Sequence, residues 1–208
     1  RERTHFALLC AALLLSACGS APKPAGEPGA DAPPASRQPA AVPKRGGGYY
    51  KDDGPADELP DGLDDIPDAV PRVEPLHRFA NRPYVVFGKE YVPSSAIRPY
   101  RMRGIGSWYG KKFHGQKTSI GERYDMFAMT AAHPTLPLPS YARVTNLANG
   151  RSVIVRVNDR GPFHASRIID LSYAAAHRLD YIRSGSAQVE VEAIVPDATG
   201  IGYADVAG

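Results

Sequence analysis

Cysteine is nearly missing from this 208-residue chain: Cys10 and Cys18 are the only two, and both fall in the first eighteen residues. Everything after Cys18 lacks a thiol, so no disulfide framework holds the fold. A hydrophobic core must do so, and an oxidising compartment offers it nothing to mispair. Long hydrophobic runs are missing too. The apolar run Phe6 to Leu15 has ten residues, whereas crossing a hydrocarbon core takes about 20. An initiating Met is absent, and the expectation is that the natural chain starts before Arg1. The histidines at 77, 114, 133, 164 and 177 show no close ligand spacing, so neither a metal nor any other cofactor is expected. No nucleic-acid motif is visible, and nucleic acid, the usual alternative partner of a basic domain, is not expected for an exported chain.

What is present begins with Arg1 and Arg3 ahead of that apolar run, the dimensions of a signal peptide. Leu15-Ser16-Ala17-Cys18 closes it and resembles the lipobox of bacterial prolipoproteins. The resemblance implies a signal peptide over residues 1–17, cleavage before Cys18, and an acylated Cys18 that anchors the chain to a membrane. Ser20, with no Asp at that position, implies sorting to the outer membrane, with the protein on its periplasmic face.

Residues 19–75 carry 12 of the 20 prolines and 11 of the 22 acidic side chains, without sustained apolar periodicity. Such a segment buries too little apolar surface to offset the entropy of ordering its backbone. Residues 18–79 therefore read as a disordered, lipid-anchored linker. Asp52 to Asp68 holds eight acids and no base, which favours an extended, hydrated spacer. Residues 76–208 hold 17 Lys or Arg against 10 Asp or Glu, a net charge of +7. That charge concentrates anionic partners such as headgroups, envelope phosphates or cell-wall carboxylates. A domain over residues 80–196 is long enough for one core, with residues 197–208 as a tail and a monomer expected.

The domain reads as mainly β. Tyr84 to Phe87 and Tyr91 to Pro93 form an extended entry, and Ser107 to Tyr109 and Met126 to Met129 are β-prone. Tyr141 to Leu147 and Ser152 to Val157 flank Asn149-Gly150, a strong hairpin signal. Val153, Val155 and Val157 share one face of the second strand. Ser172 can cap a helix over Tyr173 to Asp180, and Val189 to Ala193 alternates as a half-exposed strand. Short, evenly spaced strands favour a small barrel, although periodicity alone leaves a sandwich open.

Gly106-Ser107-Trp108-Tyr109-Gly110 followed by Phe113-His114-Gly115 resembles the rare lipoprotein A family of peptidoglycan lytic transglycosylases. The likeness continues through Thr118 to Glu122, Met129 to His133, Val144 to Leu147, Val157 to Phe163 and Arg167 to Ser172, spanning roughly residues 82–196. It implies a six-stranded double-psi β-barrel with one or two short helices. The activity it implies is cleavage of the β-1,4 bond between N-acetylmuramic acid and N-acetylglucosamine, leaving 1,6-anhydro ends. The family's functional positions fall on Glu122, His133 and Asp159, with Asp159 as the acid-base residue and His133 binding or orienting substrate and sharing the site's hydrogen-bond network.

The chemistry explains the residue types. Cleaving a glycosidic bond needs a proton for the leaving oxygen and stabilisation of oxocarbenium-like charge. Here the attacking group is the sugar's own 6-hydroxyl, so one carboxyl can first donate a proton and then take one back. A second carboxylate closing on the first would favour the protonated form, and Glu122 is the candidate neighbour of Asp159. Arg160 is expected to point outward toward substrate carboxylates. Trp108, Tyr109, Phe113 and Phe163 are candidates for a sugar-stacking groove, with core packing the competing reading. Ser119-Ile120 departs from the Ala-Asn common in the family, which predicts a differently shaped Glu122 loop. Many family members carry a second domain resembling a sporulation-related repeat. With only a dozen residues after the final strand, that domain is expected to be lacking, which puts septal recruitment in doubt; cell-wall or division proteins remain candidate partners. The competing function is a catalytically silent wall-binding lipoprotein.

Overall fold

A computed structural model describes residues 53–195 and 197. The signal peptide, Cys18, the linker up to residue 52 and most of the tail lie outside the described residues. Among the described residues, no helix is long and apolar enough to cross a membrane.

A two-stranded hairpin comes first, β1 (Tyr84–Val86) and β2 (Lys89–Tyr91). Six strands then close a barrel: β3 (Arg101–Trp108), β4 (Thr130–Ala132), β5 (Ser140–Asn146), β6 (Ser152–Asp159), β7 (Arg167–Leu171) and β8 (Ser186–Ile194). Their order around the barrel is β3-β7-β4-β6-β5-β8. The β3–β7 and β4–β6 pairs are parallel and the other four antiparallel. Closure leaves no unpaired edge.

Alternation fills the interior. Val153, Val155 and Val157 of β6 are buried, as are Val144 of β5 and Val189 and Val191 of β8. Each such side chain contributes about 1.5–3 kcal/mol by leaving water. Outward positions carry ion pairs across β3 and β8, Arg101 with Glu192 and Arg103 with Glu190. These exposed pairs fix register more than they stabilise.

Three local readings shift. The β5–β6 connection uses five residues, and only its Gly150 takes positive φ (73°). Asn149 instead accepts the Arg151 N–H through its side chain, and Asn146 does the same for Ala148. The strand expected over Met126 to Met129 starts at Thr130, because Met126 and Met129 anchor a turn in the core. Strand β7 had no alternation to reveal it, being flanked by β3 and β4 and buried from Ile169 on. Helix α1 (Tyr173–Arg178) is capped as expected, with Ser172 Oγ accepting from the Ala175 N–H at 3.2 Å.

Residues 53–79 differ most from expectation. Composition marks them as a free spacer, yet they run along the barrel as a strap. Leu63 is buried in the core, and Ile66 and Ala69 pack against it. Backbone bonds tie Ala69 N–H to Ile154 O (3.0 Å) and His77 N–H to Leu138 O (2.8 Å). Asp53 accepts from the Gly110 and Lys112 N–H groups. Gly110 admits this approach only without a side chain, since a Cβ there would lie 2.1 Å from Gly54 O. The acids mislead because Asp57, Asp61, Asp64 and Asp65 face solvent while a few apolar residues between them face the barrel.

Candidate active site

The β6 strand delivers Asp159 to the barrel mouth. Its main chain is fixed by β4: Ala132 is its register partner, and the His133 N–H donates to Asp159 O at 3.0 Å. Its side chain is fixed by the loop that follows β3. Ser119 donates to Asp159 Oδ1 twice, from N–H at 2.8 Å and from Oγ at 2.6 Å, and the Arg160 N–H adds a third bond at 2.8 Å. Asp159 Oδ2 has no protein partner among the described residues. One oxygen is thus immobilised and the other left to a ligand.

The Ser119 loop is a tight reversal. Thr118 N–H bonds to Glu122 O (2.7 Å), Gly121 N–H bonds to Thr118 O (2.8 Å), and Gly121 sits at φ 87°. That left-handed conformation is costly for other residues. The turn aims Ser119 at Asp159 and Glu122 elsewhere.

Glu122 does not close on Asp159. Its Oε2 accepts from Arg156 Nη1 at 2.7 Å and Asn158 Nδ2 at 3.0 Å. These bonds, Arg156 first, hold its pKa below the usual carboxylate value. Arg156 is in turn gripped by the strap: its Nε and Nη2 donate to Glu74 Oε1 and Oε2, each at 2.8 Å. Tyr141 OH also donates to Glu74 Oε1 at 2.6 Å. The Arg156 fork is the main cause that holds the Glu74 carboxyl down at about 2.

His133 is 1% exposed, and both ring nitrogens are occupied. Nδ1 accepts from the Thr135 and Leu136 N–H groups at 3.1 and 2.9 Å. The proton therefore sits on Nε2, which faces Tyr100 OH at 3.1 Å. Burial, with the charge of Arg160 adding to it, lowers its pKa to about 3. A neutral imidazole filled this way is built into the site's hydrogen-bond network through the Thr135 and Leu136 N–H groups and Tyr100 OH.

Arg160 also turns inward. Its guanidinium donates to Ala80 O, His133 O, Leu136 O and Asn81 Oδ1 at 2.6–3.0 Å. All five of its N–H groups are used, and burial lowers its pKa to about 10. Nothing is left to reach a substrate carboxylate.

The aromatic candidates divide. Trp108 (2% exposed) and Tyr109 (7%) belong to the core, with Trp108 edge-on to Tyr173 and Tyr109 stacked on Tyr124 at 4.0 Å. Burial first, then the Asp159 and Asp170 carboxylates, keep the Tyr109 phenol well above its usual pKa and so neutral. Phe113 is half-buried, edge-on to Tyr109. Phe163 is half-buried against Tyr84 and Tyr91 of the β1–β2 hairpin. Sequence reasoning missed Ser119, Arg156 and Glu74. Ser119 was visible as a departure from the family pattern, but its hydroxyl was not connected to Asp159. Among the described residues, no group of three or more His, Cys, Asp or Glu is placed to hold a metal ion.

Residues 101–191, the barrel itself, match a family model described as lytic transglycolase. The protein named endolytic peptidoglycan transglycosylase RlpA from Neisseria meningitidis serogroup A is 61% identical over 129 residues, 62% of this chain and 54% of that one. The chain carries a double-psi β-barrel domain of the rare lipoprotein A family. A second family member, of the same name from Pseudomonas aeruginosa strain UCBPP-PA14, is 52% identical over 188 residues, 89% of this chain and 51% of that one. A match that long is not confined to the family barrel and takes in the strap. The chain spans about half the length of these curated relatives. Among solved structures, the Streptomyces papain inhibitor covers 45% of this chain at 25% identity, with a TM-score of 0.35.

Proposed function

We propose that the barrel is a peptidoglycan lytic transglycosylase domain. It cleaves the β-1,4 bond between N-acetylmuramic acid and N-acetylglucosamine and leaves 1,6-anhydro ends. The observation that carries this reading is the state of Asp159: Oδ1 held by three donors, Oδ2 open at the mouth of a rigid barrel. In the first step Oδ2 gives its proton to the leaving glycosidic oxygen as the C–O bond breaks. The muramic 6-hydroxyl then attacks the anomeric carbon from within the same sugar, and Oδ2 takes that hydroxyl's proton. No water is consumed, and the carboxyl ends as it began. Three fixed donors on Oδ1 keep Oδ2 in one place for both transfers, which is how positioning lowers a barrier. Glu122 acts beside this centre and His133 behind it. The substrate is the glycan strand of the wall, and the likeness of the flanking sequence to a lipobox supports a lipid-anchored envelope protein held through Cys18.

The full chain would be mixed with purified peptidoglycan, intact and stripped of stem peptides, and the products read by mass spectrometry. Anhydro ends one water lighter than reducing ends are expected. Reducing ends alone would make the enzyme a hydrolase. Wall binding without product would make it a silent module. For the anchor, labelling with a fatty-acid analogue should mark wild type and not Cys18→Ala.

A further inference from the structure

The strap places an acid where neither composition nor the family's functional positions put one. Glu74 lies between two neighbours. Its two oxygens accept the Nε and Nη2 of Arg156, each at 2.8 Å, and Tyr141 OH holds Oε1 at 2.6 Å. The Glu74 and Arg156 side chains are each 16% exposed, whereas Glu122 is 44% exposed. Once two sides of the Arg156 fork are committed to Glu74, the guanidinium plane is set. Its remaining nitrogen, Nη1, then reaches Glu122 Oε2 at 2.7 Å from a fixed direction. Glu122 sits on an exposed reversal closed by Thr118 N–H to Glu122 O and Gly121 N–H to Thr118 O, above the backbone bonds that pair Gly115 and Gln116 with Tyr124. The buried end of this chain is therefore the strap, and the exposed end is the loop that also carries Ser119 to Asp159.

We propose that Glu74 is a positioning residue for the Glu122 loop, acting through Arg156, so that the strap ahead of the barrel is part of the active site. The assignment rests on the catalytic reading only for its effect on rate; the loop's order is measured without catalysis. Glu74 touches no reacting atom. Its negative charge also leaves Arg156 shared between two carboxylates, so the cation never belongs to Glu122 alone. Neutralising Glu74 frees the fork to rotate and lets the loop drift.

Hydrogen exchange on the full chain is the first test, with Glu74→Gln. Faster exchange is expected over residues 117–123, while Ala69 and His77, whose N–H groups bond the barrel at 3.0 and 2.8 Å, stay protected. Unchanged exchange over 117–123 would overturn the proposal. So would equal loosening across the whole strap, the mark of a merely structural residue. Arg156→Lys keeps the charge without the planar fork. It should loosen the same loop, and it supplies the answer should Glu74→Gln fail to fold. On wall substrate, Glu74→Gln should lower kcat about tenfold with KM nearly unchanged. The double variant Glu74→Gln/Glu122→Gln should be no slower than Glu122→Gln alone, since both act through one group. Additive losses would overturn the coupling. If wild type released no product, exchange alone would decide the positioning role, and the failure would belong to the catalytic proposal.

Discussion

Asp159 and Glu122 are both carboxylates at one end of one barrel, yet their surroundings are opposite. Asp159 is held by neutral donors, two from Ser119 and one from the Arg160 backbone, all on a single oxygen. Glu122 is held by a cation and an amide, and the cation is anchored again by Glu74. Donors confined to one oxygen fix the side chain's direction and leave the other oxygen open. A shared cation commits its carboxylate to the ionised form. In the proposed mechanism proton transfer falls to Asp159 and electrostatic support to Glu122, and the contrast between them can be broken in several ways.

The largest expected effect is on rate. Asp159→Asn keeps size and removes proton transfer, so anhydro product should fall by roughly 10²- to 10⁴-fold while wall pull-down is retained. Glu122→Gln, assayed alongside, should lose about tenfold. Equal losses would erase the contrast, and greater loss for Glu122→Gln would reverse it.

His133 tests whether a third residue belongs in this comparison at all. His133→Ala strands the Thr135 and Leu136 N–H groups inside the protein, at a cost of about 2–4 kcal/mol. The urea midpoint should drop accordingly. If His133→Ala instead slowed cleavage at full stability, the imidazole would act on substrate.

The same residue sets a pH signature. A folded-state pKa of about 3, below the usual 6.5, means His133 contributes stability that is complete above pH 6.5 and is lost as pH falls toward 3. Glu74, at about 2 instead of 4.5, adds a loss that begins only near pH 4.5. Urea midpoints of wild type should therefore decline between pH 6.5 and 4.5, and His133→Ala should lack that part of the slope.

Smallest is Ser119→Ala. It removes one of three bonds to Oδ1 and leaves two backbone donors, so a loss of about threefold in kcat is expected, equivalent to roughly 0.6 kcal/mol. A loss rivalling Asp159→Asn would make the hydroxyl a participant.

Much of this was legible in sequence, for physical reasons that differ by element. The β6 and β8 faces were readable because valines alternate with polar residues, and α1 because Ser172 precedes an alanine run. The β7 strand was not, since burial on both sides removes alternation. Glu122, His133 and Asp159 were picked out as candidates through contiguous motifs. What those residues touch was not, because Arg156 looked like an outward residue of an alternating strand and Glu74 like one more acid in a spacer. Arg160 was misjudged by its neighbour: an arginine beside a candidate acid suggests a substrate clamp, and nothing local shows that Ala80, Asn81 and Leu136 use up its donors. Partners distant in sequence are what a linear reading lacks.

The strap has a consequence for the order in which the molecule is made. Its contacts run to Gly110, Leu138, Ile154, Arg156 and Arg178, every one of them synthesised later. Leu63, Ile66 and Glu74 must wait, undocked, until the chain beyond Arg178 exists and the barrel can close. A segment that waits so long among other unfinished chains does best if it attracts nothing. Proline keeps it from pairing as a strand, and the run of acids keeps it hydrated and repels its like. The composition that reads as a spacer is thus suited to a latch that is held open through biosynthesis and shut only once its keeper is complete.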